Sequence, residues 1–504
     1  SLLKMDKEMM KMSLEEFEKL LVLFNEKYRK QSSVLSRRNF DSYSDEEIHA
    51  ELSYSIALVG SALLGTVYDQ SFAGFVKGAY RMTTGYIGVR EGLNILKTRK
   101  IWSHPRVKEH YEALLKFFLG LFEIVIACMP AKLSQILNFI GFSGRFEKGI
   151  DYLESAFTIK NTFGSIASGV ILGFIYLFLE YFYGLGRSKL DMMRKIEADF
   201  SAMFPDIAPT AAVRASICYL QADFDKSIVI CDEILAVQHP KYIQYIFSWI
   251  KSWCYAYQYK WRDAALAMHS LLECKWSPAM FYYIYASFLF MDANGSNEKS
   301  YDAELREIFS KIPTLRLKIG GHKVFHDNFF VDRSQNYFTD SNHYFLPAYE
   351  LFYIWNYFEI VLKLEKNVEK ILEDLKSRLA TVENDCTRFD EYAQLLFLKA
   401  VVLKHINREI EAEALFKEIL KNSKKVKKDK FLLAHSAFEI GRIHAKNRRY
   451  LEAKSWIMKS KKNYSGYLTE CLLDFRVERM LHQIKTEESE SESFVKDQNA
   501  ENSN

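Results

Sequence analysis

Seven cysteines and twelve histidines supply this chain with material for metal or nucleophilic chemistry, but their spacing withholds it. Cys128, Cys218, Cys231, Cys254, Cys274, Cys386 and Cys471 lie inside apolar helical patterns, and no pair has the two-residue spacing of a zinc knuckle or a redox motif. Thiols placed in this way read as small core hydrophobes of a reducing compartment. His104, His110, His239, His269, His405, His435 and His444 never pair at ligand spacing with an acidic general base, as a metalloprotease helix requires. His435 and His444 read as helix-packing or capping residues. Gly141, Phe142, Ser143, Gly144 and Arg145 begin like a nucleophile elbow, yet Arg145 takes the place of the final glycine and the context is helix to helix. Gly184, Leu185 and Gly186 start a dinucleotide-like string in which Lys189 replaces the third glycine and no strand precedes. No catalytic residue, metal site or cofactor is expected.

The elements that carry these residues are helices. Residues 247–291 read as three of them, with connections at Lys260 and at 276–278. Ser252 and Ala264 stand twelve residues apart, flanked by Tyr255, Trp261 and Met268, so each falls where two antiparallel helices of a hairpin touch. Ala215 and Ser227 repeat the frame with Phe224 and Cys231, Ala400 and Ala412 with Leu403 and Phe416, and Gly441 and Ala453 give a fourth copy. A small residue midway along each helix lets the backbones approach. In three copies a ring three residues before the second small position plugs the turn, which is tetratricopeptide logic. The copies are spaced more widely than the ~34 residues of that repeat, so the array is degenerate, with longer linkers.

A chain of 504 residues exceeds what one hydrophobic core organises, so two or three domains or a solenoid are expected. Apolar residues make up 49% and aromatics 15%, with only 8 prolines and 21 glycines, a balance that favours long helices and short connections. The 68 Lys and Arg against 64 Asp and Glu leave a net charge of +4, too balanced to imply a nucleic-acid partner. Residues 1–43 hold one helix opened by a capping box at Ser13 and Glu16, then a polar linker. A second box at Ser44 and Glu47 opens an apolar helical domain over 44–189, interrupted at Pro105, Pro130 and 141–144. Tetratricopeptide-like repeats follow over 190–312 and 348–485, separated by an irregular insert at 313–347, and 486–504 is an acidic tail too polar to fold. The fold class is all-α: a helical amino-terminal domain continuous with a degenerate repeat superhelix. The first forty residues hold no apolar block of secretory length, which makes a cytosolic or cytosol-facing location the expectation.

The repeat frame points Tyr219, Trp249, Trp253, Phe397, Lys404, Phe438 and Arg442 into a concave groove formed by first helices, the expected surface for a protein partner; the same aromatics also fit a core. Lys399, Lys404, Arg442 and Lys446 supply base there without the asparagines of a chaperone-docking clamp. Residues 161–179 carry no charge and place Gly169 and Gly173 at the spacing of close-packed membrane helices; burial in the amino-terminal domain is the favoured reading and a bilayer span the rival. The stretch 421–430 has six lysines in ten residues, read as a solvated connection with binding to phosphates or an anionic leaflet as the alternative. In the tail, Ser489, Ser491 and Ser493 alternate with Glu490 and Glu492, an acidic context for phosphorylation.

The strings ILNFIGFSGRFEKGIDYL at 136–153, WSPAMFYYIYASFLFM at 276–291, LPAYELFYIWNYF at 346–358 and KNYSGYLTECLLDFRVERML at 462–481 resemble the tetratricopeptide repeat protein thirty-nine family, whose fungal relatives are inclusion-body clearance proteins. The likeness runs colinearly over about 45–484, and the string at 346–358 is the most specific, because generic repeat packing does not demand it. The resemblance implies a noncatalytic all-helical scaffold or adaptor that binds protein partners, with links to lipid homeostasis and aggregate clearance. It also implies a cytoplasmic location, or a peripheral one on the cytosolic face of mitochondria or lipid droplets; a membrane- or lipid-droplet-associated lipid-handling protein is the alternative.

Overall fold

A computed structural model of the chain describes residues 7–29, 39–69, 71–127, 144–186, 189–296, 302–319, 322–323, 327–338, 346–383 and 385–501. The chain separates into two compact units, Ser1–Phe174 and Ile175–Asn504. Cys128, Pro130 and the expected turn at 141–143 lie outside the described residues.

The first unit holds α1 (Lys7–Leu23), α2 (Asp45–Tyr68), α3 (Phe72–Thr98), α4 (Pro105–Ala127), α5 (Phe146–Thr158) and α6 (Phe163–Phe174). Ser44 caps α2 as expected: the Glu47 amide donates to Ser44 Oγ at 3.1 Å and the Ser44 amide to Glu47 Oε2 at 2.8 Å. The box expected at Ser13 and Glu16 is corrected, because helix-forming residues from Lys7 onward carry α1 past Ser13, leaving that serine in the helix interior. Arg99 ties the entry of α2 to the end of α3 by donating to the Tyr43 carbonyl at 2.8 Å and to Asp45 Oδ1 at 2.8 Å. Helices α4 and α5 cross at Gly120 and Gly149, where a Cβ on either would fall within 3 Å of the other's carbonyl oxygen. Gly164 of α6 approaches the Ala113 backbone in the same manner.

The second unit begins with a π-helical run, Ile175–Tyr183, followed by α7 (Leu190–Met203), α8 (Ala208–Leu220), α9 (Phe224–Leu235), α10 (Lys241–Tyr257), α11 (Trp261–His269), α12 (Pro278–Ser296) and α13 (Asp302–Lys311). After a hairpin of β1 (Lys318–Ile319) and β2 (His322–Lys323) come α14 (Asp327–Ser334), α15 (Pro347–Ile354), α16 (Phe358–Val361), α17 (Glu365–Val382), α18 (Phe389–His405), α19 (Glu409–Lys421), α20 (Phe431–Lys446), α21 (Tyr450–Lys462) and α22 (Glu470–Glu501).

The twelve-residue frame holds in all four hairpins. Ser227 Oγ donates to the Ala215 carbonyl at 2.9 Å and Ser252 Oγ to the Ala264 carbonyl at 2.7 Å, each across the crossing of first and second helix. Ala400 and Ala412 are fully buried, and a Cβ on Gly441 would meet the Ala453 carbonyl oxygen at 3.3 Å. Every hairpin also turns in the same way. The residue seven after the first small one is left-handed: Ala222, Tyr259, Asn407 and Arg448 have φ of 66°, 61°, 63° and 56°. The next amide returns to the helix, Asp223 to Cys218 at 3.0 Å, Lys260 to Tyr255 at 3.1 Å, Arg408 to Leu403 at 2.9 Å and Arg449 to His444 at 2.9 Å.

Three expected boundaries are corrected. The division falls after Phe174 rather than Lys189, because the carbonyls of 181–185 are bonded by side chains from the second unit. The insert at 313–347 contains the eight-residue α14, whose Arg333 and Phe330 reach the core, in place of a wholly irregular loop. The tail is helical to Glu501 instead of disordered: its composition suits helix, and Tyr450 and Lys454 of α21 hold Glu487 and Glu488 at 3.1 and 2.6 Å. Of the described cysteines, Cys218, Cys231, Cys254 and Cys274 are buried as expected, whereas Cys471 is exposed.

Stability measurements test this register. Ala412→Leu should overpack the α18–α19 crossing and cost about 1–3 kcal/mol. Arg448→Gly, at a left-handed position, should raise stability by up to about 1 kcal/mol. Thermal melts showing neither change would contradict the shared hairpin geometry.

Candidate functional site

Residues 347–361 decide what the first helices of the hairpins face. Pro347 opens α15 and Asn356, at φ 56°, closes it before α16, so the segment is a short helix, a left-handed turn and one further helical turn. Its side chains are mostly apolar and aromatic around the circumference, as a helix enclosed by other helices demands, and its polar residues Glu350, Asn356 and Glu359 are held by partners. All of α15 is buried, as are Trp355, Tyr357 and Phe358 beyond it.

On one side the segment meets α10. Trp253 lies 4.5 Å from Tyr357, 5.5 Å from Trp355 and 6.3 Å from Phe352 between ring centroids, and Trp249 lies 5.6 Å from Trp355. These edge-on and tilted arrangements suit ring quadrupoles, each worth about 0.5–1.5 kcal/mol beyond buried area. On the other side Tyr353 meets Phe397 of α18 at 4.7 Å and its hydroxyl is 2.7 Å from His435 Nδ1 of α20. His435 Nε2 stands 2.8 Å from Thr469 Oγ1.

Buried charges surround this contact. Glu439 accepts from Lys404 Nζ and lies 3.4 Å from Arg442, which also lies 3.4 Å from Glu359 and donates to the Leu185 carbonyl at 3.2 Å. His405 Nδ1 is 3.5 Å from Glu359. Burial pushes both carboxyls upward, but the cations beside them prevail: His405, Arg442 and Lys404 hold Glu359 down at about 2, while Lys404 and Arg442 hold Glu439 well below the carboxylate range. Burial, reinforced by Arg476, depresses His435 to about 3, leaving it neutral. Arg476 of α22 donates to the carbonyls of Ile354 at 2.6 Å and of Phe182 and Tyr183 at 3.2 Å. A second cluster fastens α14: Arg333 bonds Asp429 at 2.6 Å and Glu350 at 2.9 Å, and burial raises Glu350 to about 7.

The expected partner groove is therefore corrected. Tyr219, Trp253, Phe397 and Phe438 are core residues, Trp249 stacks against Trp355, and Lys404 and Arg442 are bound into the buried charge cluster. The segment at 347–361, which runs from the end of the insert into the start of the second repeat block, occupies the faces that would have received a peptide. Its string had been singled out as unexplained by repeat packing, and that was the available signal. Reversing Lys404 and Arg442 to Glu would place like charges beside Glu439 and Glu359 and unfold the core, where an exposed groove would have tolerated it. The lysines of 421–430 are exposed on a loop held by Asp390, whose carboxylate accepts the amides of Lys427, Lys428 and Asp429 at 3.0–3.1 Å. Ser489 is exposed and donates to the Lys485 carbonyl at 2.9 Å; the side chains of Ser491 and Ser493 lie outside the described residues. Among the described residues no group of three His, Cys, Asp or Glu side chains converges as a metal site. Burial raises the Cys254 thiol to about 12 and Cys231 further, so neither is a ready nucleophile.

A family model described as Iml2/Tetratricopeptide repeat protein 39 matches residues 1–406. Tetratricopeptide repeat protein ttc-39B of Caenorhabditis elegans is 26% identical over 444 residues, covering 86% of this chain and 75% of that protein. Inclusion body clearance protein iml2 of Aspergillus fumigatus is 22% identical over 342 residues, 60% of this chain and 46% of that protein.

The buried titrating groups make a signed prediction. His435 gains its proton below about 3 when folded and near 6.5 when unfolded, so its contribution to stability is lost as pH falls below 6.5. Glu350 acts oppositely, because its folded value of about 7 lies above the unfolded 4.5 and its contribution grows as pH falls through that window. Between pH 6.5 and 4.5, His435→Gln should soften the fall of the melting midpoint on acidification and Glu350→Gln should steepen it. Equal slopes in all three proteins would remove this assignment.

Proposed function

Since the chain belongs to the Iml2/Tetratricopeptide repeat protein 39 family, we propose that it is a noncatalytic repeat scaffold that recruits protein partners through its outer surface, in the service of aggregate clearance in the cytoplasm. The observation that carries this reading is the filling of the first-helix faces by residues 347–361, which turns the repeats into a rigid framework and leaves only outward surfaces for recruitment. Clearance itself is proposed from the name borne by the fungal relative. Lys404, Glu439, Arg442, His435 and Arg476 are each committed to partners inside the core, so this cluster serves the framework.

On the outward surface an apolar feature repeats in the two carboxy-terminal hairpins. Ile410 and Leu451 occupy the same place in the two carboxy-terminal hairpins, two residues before Ala412 and Ala453, and are 88% and 80% exposed. Lys446 of the second hairpin pairs with Glu409 of the first at 2.7 Å, so the two turn edges are adjacent. Exposed aliphatic side chains at equivalent positions contribute little to the fold and offer a contact to a partner.

A second reading, peripheral contact with a membrane or lipid droplet, is favoured by an apolar ridge on α6, where Phe163, Val170 and Phe174 are 66%, 48% and 52% exposed opposite the buried small residues Gly164, Ser168 and Gly169. Two helical runs, Asp45–Gly65 and Phe163–Tyr183, are long and apolar enough to cross a bilayer.

Ile410→Glu with Leu451→Glu should leave the melting midpoint unchanged and reduce recovery of cross-linked partners at least ~10-fold, the effect of losing about 1.4 kcal/mol. Identical recovery would move the recruiting surface elsewhere. Flotation on liposomes with and without carbonate tests the second reading: Phe163→Glu with Phe174→Glu should abolish flotation if α6 lies on the membrane, and unaltered flotation would reject it.

A further inference from the structure

We infer that the first unit binds a single-chain anionic amphiphile, its hydrocarbon chain held in a cavity between α1, α2, α3 and α4 and its head group against Arg90. This site belongs to the first unit and does not depend on the scaffold reading.

The cavity measures about 310 Å³. Phe17 of α1, Val59 and Leu63 of α2, Tyr86 of α3, and Leu121 and Val125 of α4 contribute to its wall. Every lining residue is apolar apart from the Tyr86 hydroxyl, so the wall offers no charged anchor to a polar ligand. Desolvating a charged head inside it would be unfavourable, whereas a methylene chain exchanges water for dispersion contacts. Much of the lining is half-buried rather than buried, so the cavity opens outward. Small-molecule sites span roughly 300–1,000 Å³, and a volume at the lower end accepts one hydrocarbon chain but not the two of a bilayer phospholipid.

Charge complementarity defines the head group. Tyr86 is fixed by stacking on Phe122 at 4.5 Å, and the Arg90 guanidinium stands 6.0 Å from the Tyr86 ring centroid. Arg90 is exposed and has no carboxylate partner among the described residues. Its neighbours on α3 are committed: Arg81 pairs with Glu18 at 2.7 Å and Lys77 with the same carboxylate at 3.6 Å. Arg90 is thus an uncommitted cation beside the apolar wall, and a guanidinium binds a carboxylate or a phosphate through paired N–H donors.

The test uses the full chain and cis-parinaric acid, a fluorescent long-chain acid, with its methyl ester as the uncharged counterpart. The chain should bind the acid saturably and prefer it to the ester; palmitate and a monoacyl phosphate should displace it, whereas phosphatidylcholine vesicles should not. Leu121→Trp should fill the cavity and weaken both probes at least ~10-fold. If that variant fails to melt like the parent, Val59→Phe on the opposite wall replaces it. Arg90→Glu should weaken the acid ~3- to 10-fold and leave the ester unchanged. Absence of saturable binding, or equal binding by a folded cavity-filling variant, would overturn the site. Equal loss of acid and ester in Arg90→Glu would overturn the head-group assignment, and displacement by the vesicles would overturn the single-chain limit.

Discussion

The second unit depends on finding hydrogen-bond donors for carbonyls taken out of water. The π-helical run and its exit leave the oxygens of Tyr181, Phe182, Tyr183, Gly184 and Leu185 facing protein, and the last turn of α15 adds that of Ile354. Leaving such groups unpaired costs about 1–3 kcal/mol each. Three side chains from distant parts of the chain supply the donors: Asn356 reaches the carbonyls of 181, 182 and 184 at 2.8–3.1 Å, Arg476 those of 182, 183 and 354, and Arg442 that of 185. These bonds join the run at 175–186, the segment at 347–361 and the carboxy-terminal helices α20 and α22 into one core. The aromatic packing around Trp253 and the charge cluster around Glu439 both presuppose that union.

What was legible in the sequence was local. The small residues at an offset of twelve located four hairpin crossings, and Ser44 with Glu47 located the start of α2. Other local features carried no readable signal. The turns at Ala222, Tyr259 and Arg448 are left-handed without glycine or asparagine, since surrounding packing overrides the preference of the single residue. Ser13 with Glu16 had the form of a capping box, but the residues before it are equally good helix formers. The groove was misread for a different reason. The first helices do present Trp253, Phe397 and Lys404 on one face, but what covers that face comes from elsewhere in the chain, as Tyr357 does for Trp253, and no periodicity reports such a partner. The string at 346–358 signalled its own importance only by being more aromatic than a repeat requires.

Buried charge gives specificity here more than stability. Placing Arg333, Glu350 and Asp429 in the interior costs desolvation that their mutual attraction roughly offsets, so a well-packed apolar set could be as stable. Their geometry does something an apolar set cannot. Arg333 belongs to α14, Glu350 to α15 and Asp429 to the lysine-rich loop, so one guanidinium fixes the placement of three segments without regular sequence period. The Lys404–Glu439–Arg442–Glu359 cluster does the same for α16, α18 and α20, because each cation there is correct in only one register. This is the means by which a degenerate array, lacking the uniform spacing of regular repeats, still closes on a single arrangement.

The two units fill space by opposite means. In the second unit, rings and charges fill the interior. In the first, glycines at the α4–α5 crossing bring backbones together, while the space between α1, α2, α3 and α4 is left as a cavity walled by larger apolar side chains. A sealed and empty void of 310 Å³ would cost about 7 kcal/mol at ~24 cal/mol per Å³, comparable to the whole stability of a typical domain. Such a volume persists only where solvent or hydrocarbon can enter, and the half-buried lining of α2, α3 and α4 provides that entrance. Close backbone packing at one crossing and an open apolar cavity walled by larger side chains thus occur together in the first unit, whereas the second closes its interior with rings and charges.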